Sequence, residues 1–276
     1  MARVDAVRHR ISITDDELEQ LRRVSNGEAV DDAVRRQLAD DGLVDGDGTV
    51  LPLVLDLALT RAEPMIHCVV ETAGPQGPQA AIVSVREETV WYTDPWPQDE
   101  PDGPTAYHRD ELPQLLWVLA RLVGLRRHEV PAVARPFTVP LSAVDAVVQT
   151  MALGERAWEP ARTVATARLQ QLFGEVDEAD RGMLLATLSY LEASARVTVV
   201  WGPDPQTDCR GLALWACGPG GYWLRTAPAE PVTAEAITPE TLATFEPVTG
   251  AQVWEALAAL LPSSAELRAL VERVSA

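Results

Sequence analysis

The stretch GLALWACGPGGYWLRT, residues 211–226, crowds Gly218, Gly220 and Gly221 around Pro219, between Cys217 and the pair Tyr222–Trp223. Three readings compete: a glycine loop that cradles a phosphate, a thiol site beside aromatic rings, and the turn of a β-hairpin. A dinucleotide fingerprint needs glycine at its sixth position and a helix behind it. Counting from Gly218, the sixth position is Trp223, and the residues beyond it alternate as a strand does. The hairpin reading stands, because glycine supplies the positive φ that tight turns demand.

Working outward, ARVTVVWG (195–202) and TLATFEPV (241–248) read as flanking strands. Thr249 and Gln252 then form a capping box that opens a helix. Its apolar face holds Val253, Trp254, Leu257, Leu260 and Leu261, and Ser263 with Glu266 opens a last helix. The same order occurs earlier. MIHCVVET (65–72), AAIVSVRE (80–87) and TVWYTD (89–94) read as strands, and the Pro-rich acidic loop PWPQDEPDGPTA leads to YHR (107–109). Asp110 then caps an apolar helix.

Helices precede each run of strands. Thr14 and Glu17 make a capping box, residues 28–41 carry a Val30, Val34, Leu38 stripe stopped by Gly42, and Pro52 opens a helix that runs to about Ala62. In the middle, Ser142 caps a helix, and two more fit about 160–173 and 178–193. LPQLLWVLARLV pairs with GAQVWEALAALL, and MIHCVV with ARVTVV. Their separation of roughly 130 to 138 residues is too long for a solenoid and reads as a duplicated unit. The expected fold is α+β: a central antiparallel β-sheet flanked by two helical subdomains with an internal pseudo-two-fold duplication. One domain spans 1–276, with half-repeats at 11–130 and 141–276.

A net charge of -18 and a pI near 4.6 argue against nucleic acid and anionic lipid as partners. All 23 basic residues are arginine. Without lysine there is no Walker A loop and no pyridoxal Schiff base. MARVDAVRHR (1–10) has no apolar run behind its charges, and VLPLVLDLAL (50–59) is too short to span a bilayer. The three cysteines cannot all pair, and the chain reads as soluble and cytoplasmic, with no membrane insertion.

Chemistry is sparse. No C-x-x-C or H-x-x-x-H spacing occurs, and adjacent His67 and Cys68 point to opposite faces of their strand, so no metal is expected. An EF-hand reading from Asp45 fails at its sixth position, Val50. There is no G-x-S-x-G, and the four histidines are scattered. The reading is of a non-enzymatic binding protein without catalytic residues or cofactors. Eight tryptophans against three phenylalanines point to binding surface. Trp117 and Trp254 lie on apolar helix faces and are assigned to the core. Trp91, Trp96, Trp215, Tyr222 and Trp223, on or beside strands of both halves, are the expected partner-binding residues.

The order of these motifs resembles the EspG family of ESX (type VII) secretion-associated proteins. ISITDDELEQLRRV (11–24) is similar to the family's opening helix, with Ile13–Thr14 in place of Leu-Thr. LADDGLVDGDGTVLPLVLDLALTRAEPMIHCVVETAG (38–74) is similar to the turn, short helix and strand that follow, including the step from Pro64 to Val70. The closing YWLRTAP and FEPVTGAQVWEALAALLP resemble the family's last strands and helix. The loops TAGPQGPQ and PWPQDEPDGPTA are individual to this chain. The resemblance implies a cytosolic chaperone that binds the apolar helical tip of PE/PPE-like secretion substrates. The alternative is an acidic immunity or inhibitor protein that binds a toxin.

Overall fold

The computed structural model describes residues 3–97, 103–153, 167, 170–174, 176–202, 207–233, 236–238 and 240–274. Two short strands, β1 (Arg3–Asp5) and β2 (Arg10–Ile13), lead into helix α1 (Asp15–Ser25). Its capping box forms as expected: the Glu17 amide donates to Thr14 Oγ1 at 3.2 Å, and the Thr14 amide donates to the Glu17 carboxylate at 2.7 Å. Helix α2 (Asp32–Asp40) starts later than the sequence suggests, because the Asp31 side chain accepts from Ala33 and sets the N-cap there. Helix α3 (Pro52–Ala62) carries proline in its first turn, as expected.

The first run of strands is β3 (Ile66–Gly74), β4 (Gly77–Arg86), β5 (Thr89–Thr93), β6 (Trp96–Pro97) and β7 (Thr105–Glu111). A 3-10 turn at Leu112–Gln114 then enters helix α4 (Leu115–Leu122). Asp110 is therefore not a helix cap: β7 pairs with β5 as far as Glu111↔Thr89, so sheet pairing overrides the local signal. The strand β8 (Phe137–Pro140) runs straight into α5 (Leu141–Leu153), which puts Ser142 inside the first turn instead of at its cap. Most of the helix expected at 160–173 lies outside the described residues.

Helix α6 (Glu178–Ser189) is capped by Asp177 and stops short of 193, where the next strand begins. Then come β9 (Ala193–Trp201), β10 (Asp208–Ala216), β11 (Tyr222–Ala227) and β12 (Leu242–Val248). Helix α7 (Gly250–Leu260) follows with the Thr249–Gln252 capping box in place, and α8 (Ser264–Val274) ends the description. The stretch 211–226 is the β10–β11 hairpin: Cys217 N donates to Gly221 O at 2.9 Å across a 3-10 turn, with Gly218 and Gly221 at positive φ.

Among the described residues, twelve strands join one antiparallel sheet in the order β1-β2-β7-β5-β4-β3-β9-β10-β11-β12-β8, with β6 on β4. The earlier and later runs of strands meet at β3 and β9, from Ile66↔Trp201 to Ala73↔Ser194. From that seam the order runs β4, β5, β7, β2 one way and β10, β11, β12, β8 the other. Each run of strands thus forms a meander, edged by a strand from earlier in the sequence, β2 or β8.

Residues directly opposite each other in antiparallel strands share a face. One face carries Cys68, Val70, Val83, Val197, Val199 and Leu214, and α4 and α7 cover it. Helices cover the other face only toward its edges. Helices α1 to α3 pack there on Ile11, Ile13, Trp91 and Tyr107, while α5 and α6 pack on Phe137, Trp223 and Phe245. Between these two lobes the middle strands show an open strip.

Candidate functional site

Three of the five expected binding residues are interior. Trp91 is 1% exposed and donates its indole N–H to Asp56 Oδ2 at 3.0 Å, and the same oxygen accepts from Arg109 Nε at 2.9 Å. Trp223 is 2% exposed and donates to the Gly220 carbonyl at 3.1 Å, with its ring 5.2 Å from Phe137. Tyr222 faces the other way, under α7, where its hydroxyl accepts from the Arg126 amide at 2.8 Å. These side chains cannot reach a partner. The cause is coverage: β5 is buried at all five positions because a helical lobe covers one face and α4 the other.

Trp96 and Trp215 remain half-buried, and the fold brings them to one face. Trp96 lies opposite Ala80, which lies opposite Glu71, then Arg196, then Ala213. Trp215 lies opposite Ser194, which lies opposite Ala73. The two indoles therefore flank the open strip, four strand spacings apart or about 19 Å. Between them the floor combines small side chains, Ala73, Ala80, Ser194 and Ala213, with the charged pair Glu71 and Arg196. Trp215 is held by its stack on Phe245, with centroids 4.0 Å apart.

An ion network crosses the strip. Arg196 reaches Glu71 at 3.8 Å and Glu230 at 3.2 Å, and Arg225 also pairs with Glu230, whose side chain is only 1% exposed. Burial pulls the Arg225 guanidinium below its ordinary pKa, and the Glu230 charge opposes that shift. The carboxylate sits on a strap that lies across β10 at Gly211. A Cβ at Gly211 would meet Glu230 Cβ at 2.8 Å and Pro231 N at 3.2 Å, so only glycine admits the strap. A cavity of about 330 Å³ opens beside it, lined by Glu71, Ser194, Arg196, Trp215, Arg225 and Glu230 among others.

Burial pushes the Cys68 and Cys217 thiols up to about 12, which keeps both protonated and poorly nucleophilic at neutral pH. Among the described residues no three His, Cys, Asp or Glu side chains are grouped to hold a metal. No described helix is long and apolar enough to cross a membrane.

Of the two tryptophans assigned to the core, Trp117 comes out on the surface and Trp254 packs half-buried against the core. Trp117 is 63% exposed on α4, and Trp254 on α7 is half-buried against it, with centroids 4.5 Å apart. The pattern held a signal for this. Leu115, Val118, Leu119 and Leu122 form the buried i, i+3, i+4, i+7 stripe of α4, and position 117 falls outside it. The Glu230 network had no such signal, since its ion pairs range from the nearby Arg225–Glu230 to the distant Arg196–Glu71, on strands and a strap.

The sequence matches no protein-family model and no curated protein. The fold, by contrast, is that of the Mycobacterium tuberculosis type VII secretion system chaperone EspG5, solved in complex with the PE25–PPE41 dimer. The two superpose with a TM-score of 0.52 over 92% of this chain and 97% of EspG5, at 15% sequence identity.

Proposed function

We propose that this protein is a cytosolic, non-catalytic chaperone for helical PE/PPE-like substrates of type VII secretion. The observation that carries the reading is the fold shared with EspG5, nearly end to end in both chains, with EspG5 solved holding such a dimer. The substrate's apolar helical tip binds in the strip between Trp96 and Trp215. Packed helices lie 8–10 Å apart and each is about 10–12 Å wide, so a two-helix tip spans about 20 Å, close to the gap between the indoles. The small floor side chains let backbone approach closely. The indoles supply apolar area, and the ion network that crosses the floor supplies polar partners.

Co-expression with helical PE/PPE-like pairs tests this. The expected result is a stable complex that co-purifies. Trp215→Ala weakens it about tenfold or more, at the scale of a binding hot spot. If the folded protein captures no such pair, the chaperone reading is wrong. If the Trp96→Ala/Trp215→Ala double variant binds as the unchanged protein does, the strip is the wrong surface.

A further inference from the structure

The opposite face of the sheet carries a second surface with different chemistry. There α4 and α7 present Trp117 and Trp254 edge to face. Beside the rings lies a cavity of about 490 Å³, to which Arg121, Arg126, Arg127 and Leu125 also contribute. Its lining contains three arginines and no carboxylate, in a chain with 41 acidic and 23 basic residues. All three arginines are exposed. The backbone under them is fixed: Gly250 N donates to His128 O at 3.0 Å, and a Cβ at Gly250 would meet Arg126 O at 2.5 Å. Arg121 is held over the Tyr92 ring at 4.7 Å, and Arg127 meets Glu129 only at 4.0 Å, with both side chains largely in solvent. The backbone that carries Arg126 and Arg127 is thus placed by the fold, and the Arg127 charge is little neutralised.

Aromatic rings beside arginines make the composition typical of binding hot spots. A cluster of positive charge on a strongly acidic protein selects its occupant by charge complementarity. We propose that this surface docks an acidic peptide segment of a partner protein, with an apolar anchor residue seated beside Trp117 and Trp254 and its carboxylates on Arg121, Arg126 and Arg127. Carboxylates fit guanidinium forks, and the indole faces take the anchor. This site is separate from the strip between Trp96 and Trp215, on the other side of the sheet.

Fluorescence anisotropy with a labelled glutamate-rich peptide bearing a central leucine pair tests the proposal on the full chain. The expected result is saturable binding that weakens as salt rises. Trp117→Ala weakens it about tenfold. Arg126→Glu/Arg127→Glu, which changes only exposed side chains, weakens it at least as much. Capture of helical substrates by the strip stays unchanged in both variants, so failure here is distinguishable from failure of the chaperone reading. Equal affinity for the peptide with every glutamate replaced by glutamine would overturn the proposal. So would undiminished binding by Trp117→Ala. Self-association that disappears in Trp117→Ala would assign the surface to a second copy of this chain and overturn it as well.

Discussion

Trp91 and Trp223 sit on β5 and β11, each two strands out from the β3–β9 seam, while Trp117 and Trp254 sit on the two helices that cover the sheet's other face. The strand pair, expected to meet a partner, is sealed; of the helix pair, expected in the core, Trp117 meets solvent while Trp254 packs half-buried against the core. A strand's alternation says that two faces exist, but not which of them a distant helix will cover. A helix stripe is more informative, because only residues on the stripe face the sheet.

The first pair also differs within itself. Trp91 gives its N–H to a carboxylate that Arg109 also holds, whereas Trp223 gives its N–H to a carbonyl of its own hairpin. One lobe is tied to the sheet by a charged group from α3, and the other is closed by aromatic packing of Trp223, Phe137 and Phe245.

The largest expected effect separates the two pairs. Trp91→Ala and Trp223→Ala each lose about 3–5 kcal/mol in urea denaturation, the range for a large buried aromatic side chain. Trp117→Ala changes stability by about 0.5–1 kcal/mol. Equal losses at positions 117 and 223 would break the comparison.

Next comes the strap. Glu230→Ala leaves the Arg225 and Arg196 guanidiniums without their shared carboxylate, one of them 11% exposed, and removes about 2–3 kcal/mol. Amide exchange across 228–232 should rise while that of α1 to α3 stays as it was. If protection is unchanged, the strap is held by something other than this pair.

A smaller effect sharpens the difference between the lobes. Asp56→Asn takes the charge from Arg109 at a site where both side chains are 30% exposed, and removes about 1 kcal/mol. Near-ultraviolet circular dichroism should show the Trp91 signal disturbed and that of Trp223 intact, which the Trp91→Phe and Trp223→Phe variants can assign.

The smallest effect is a slope with pH. Burial, with help from the Arg61 charge, lowers the pKa of His67 from 6.5. The unfolded chain therefore takes up that proton first as pH falls. Stability is full above the unfolded value and declines as pH drops from there through the folded one. His67→Gln should flatten that part of the denaturation profile, and an unaltered slope would remove His67 as its source.

Much of the fold was legible. Strands β3 to β5 and β9 to β12 are long enough to alternate and are bounded by turn residues, so their order could be read. Strands β1, β2, β6 and β8 are two to four residues long and carry no period of their own. They exist because the neighbouring edge offers unpaired backbone groups. The same long-range pairing moved Asp110 and Ser142 out of their expected capping roles. At the site, aromatic content singled out Trp96 and Trp215 along with three core residues, since composition cannot tell a half-buried indole from a sealed one.

By itself, the sequence determined what short-range forces settle. The capping boxes at Thr14 and Thr249 close through hydrogen bonds within four residues, and the glycines of 218–221 turn the hairpin through their own φ angles. Only the tertiary structure decided the β3–β9 seam, the strap over Gly211 and the facing of each tryptophan. Those depend on surfaces that meet from distant parts of the chain, and burial belongs to the pair of surfaces, not to either residue pattern alone.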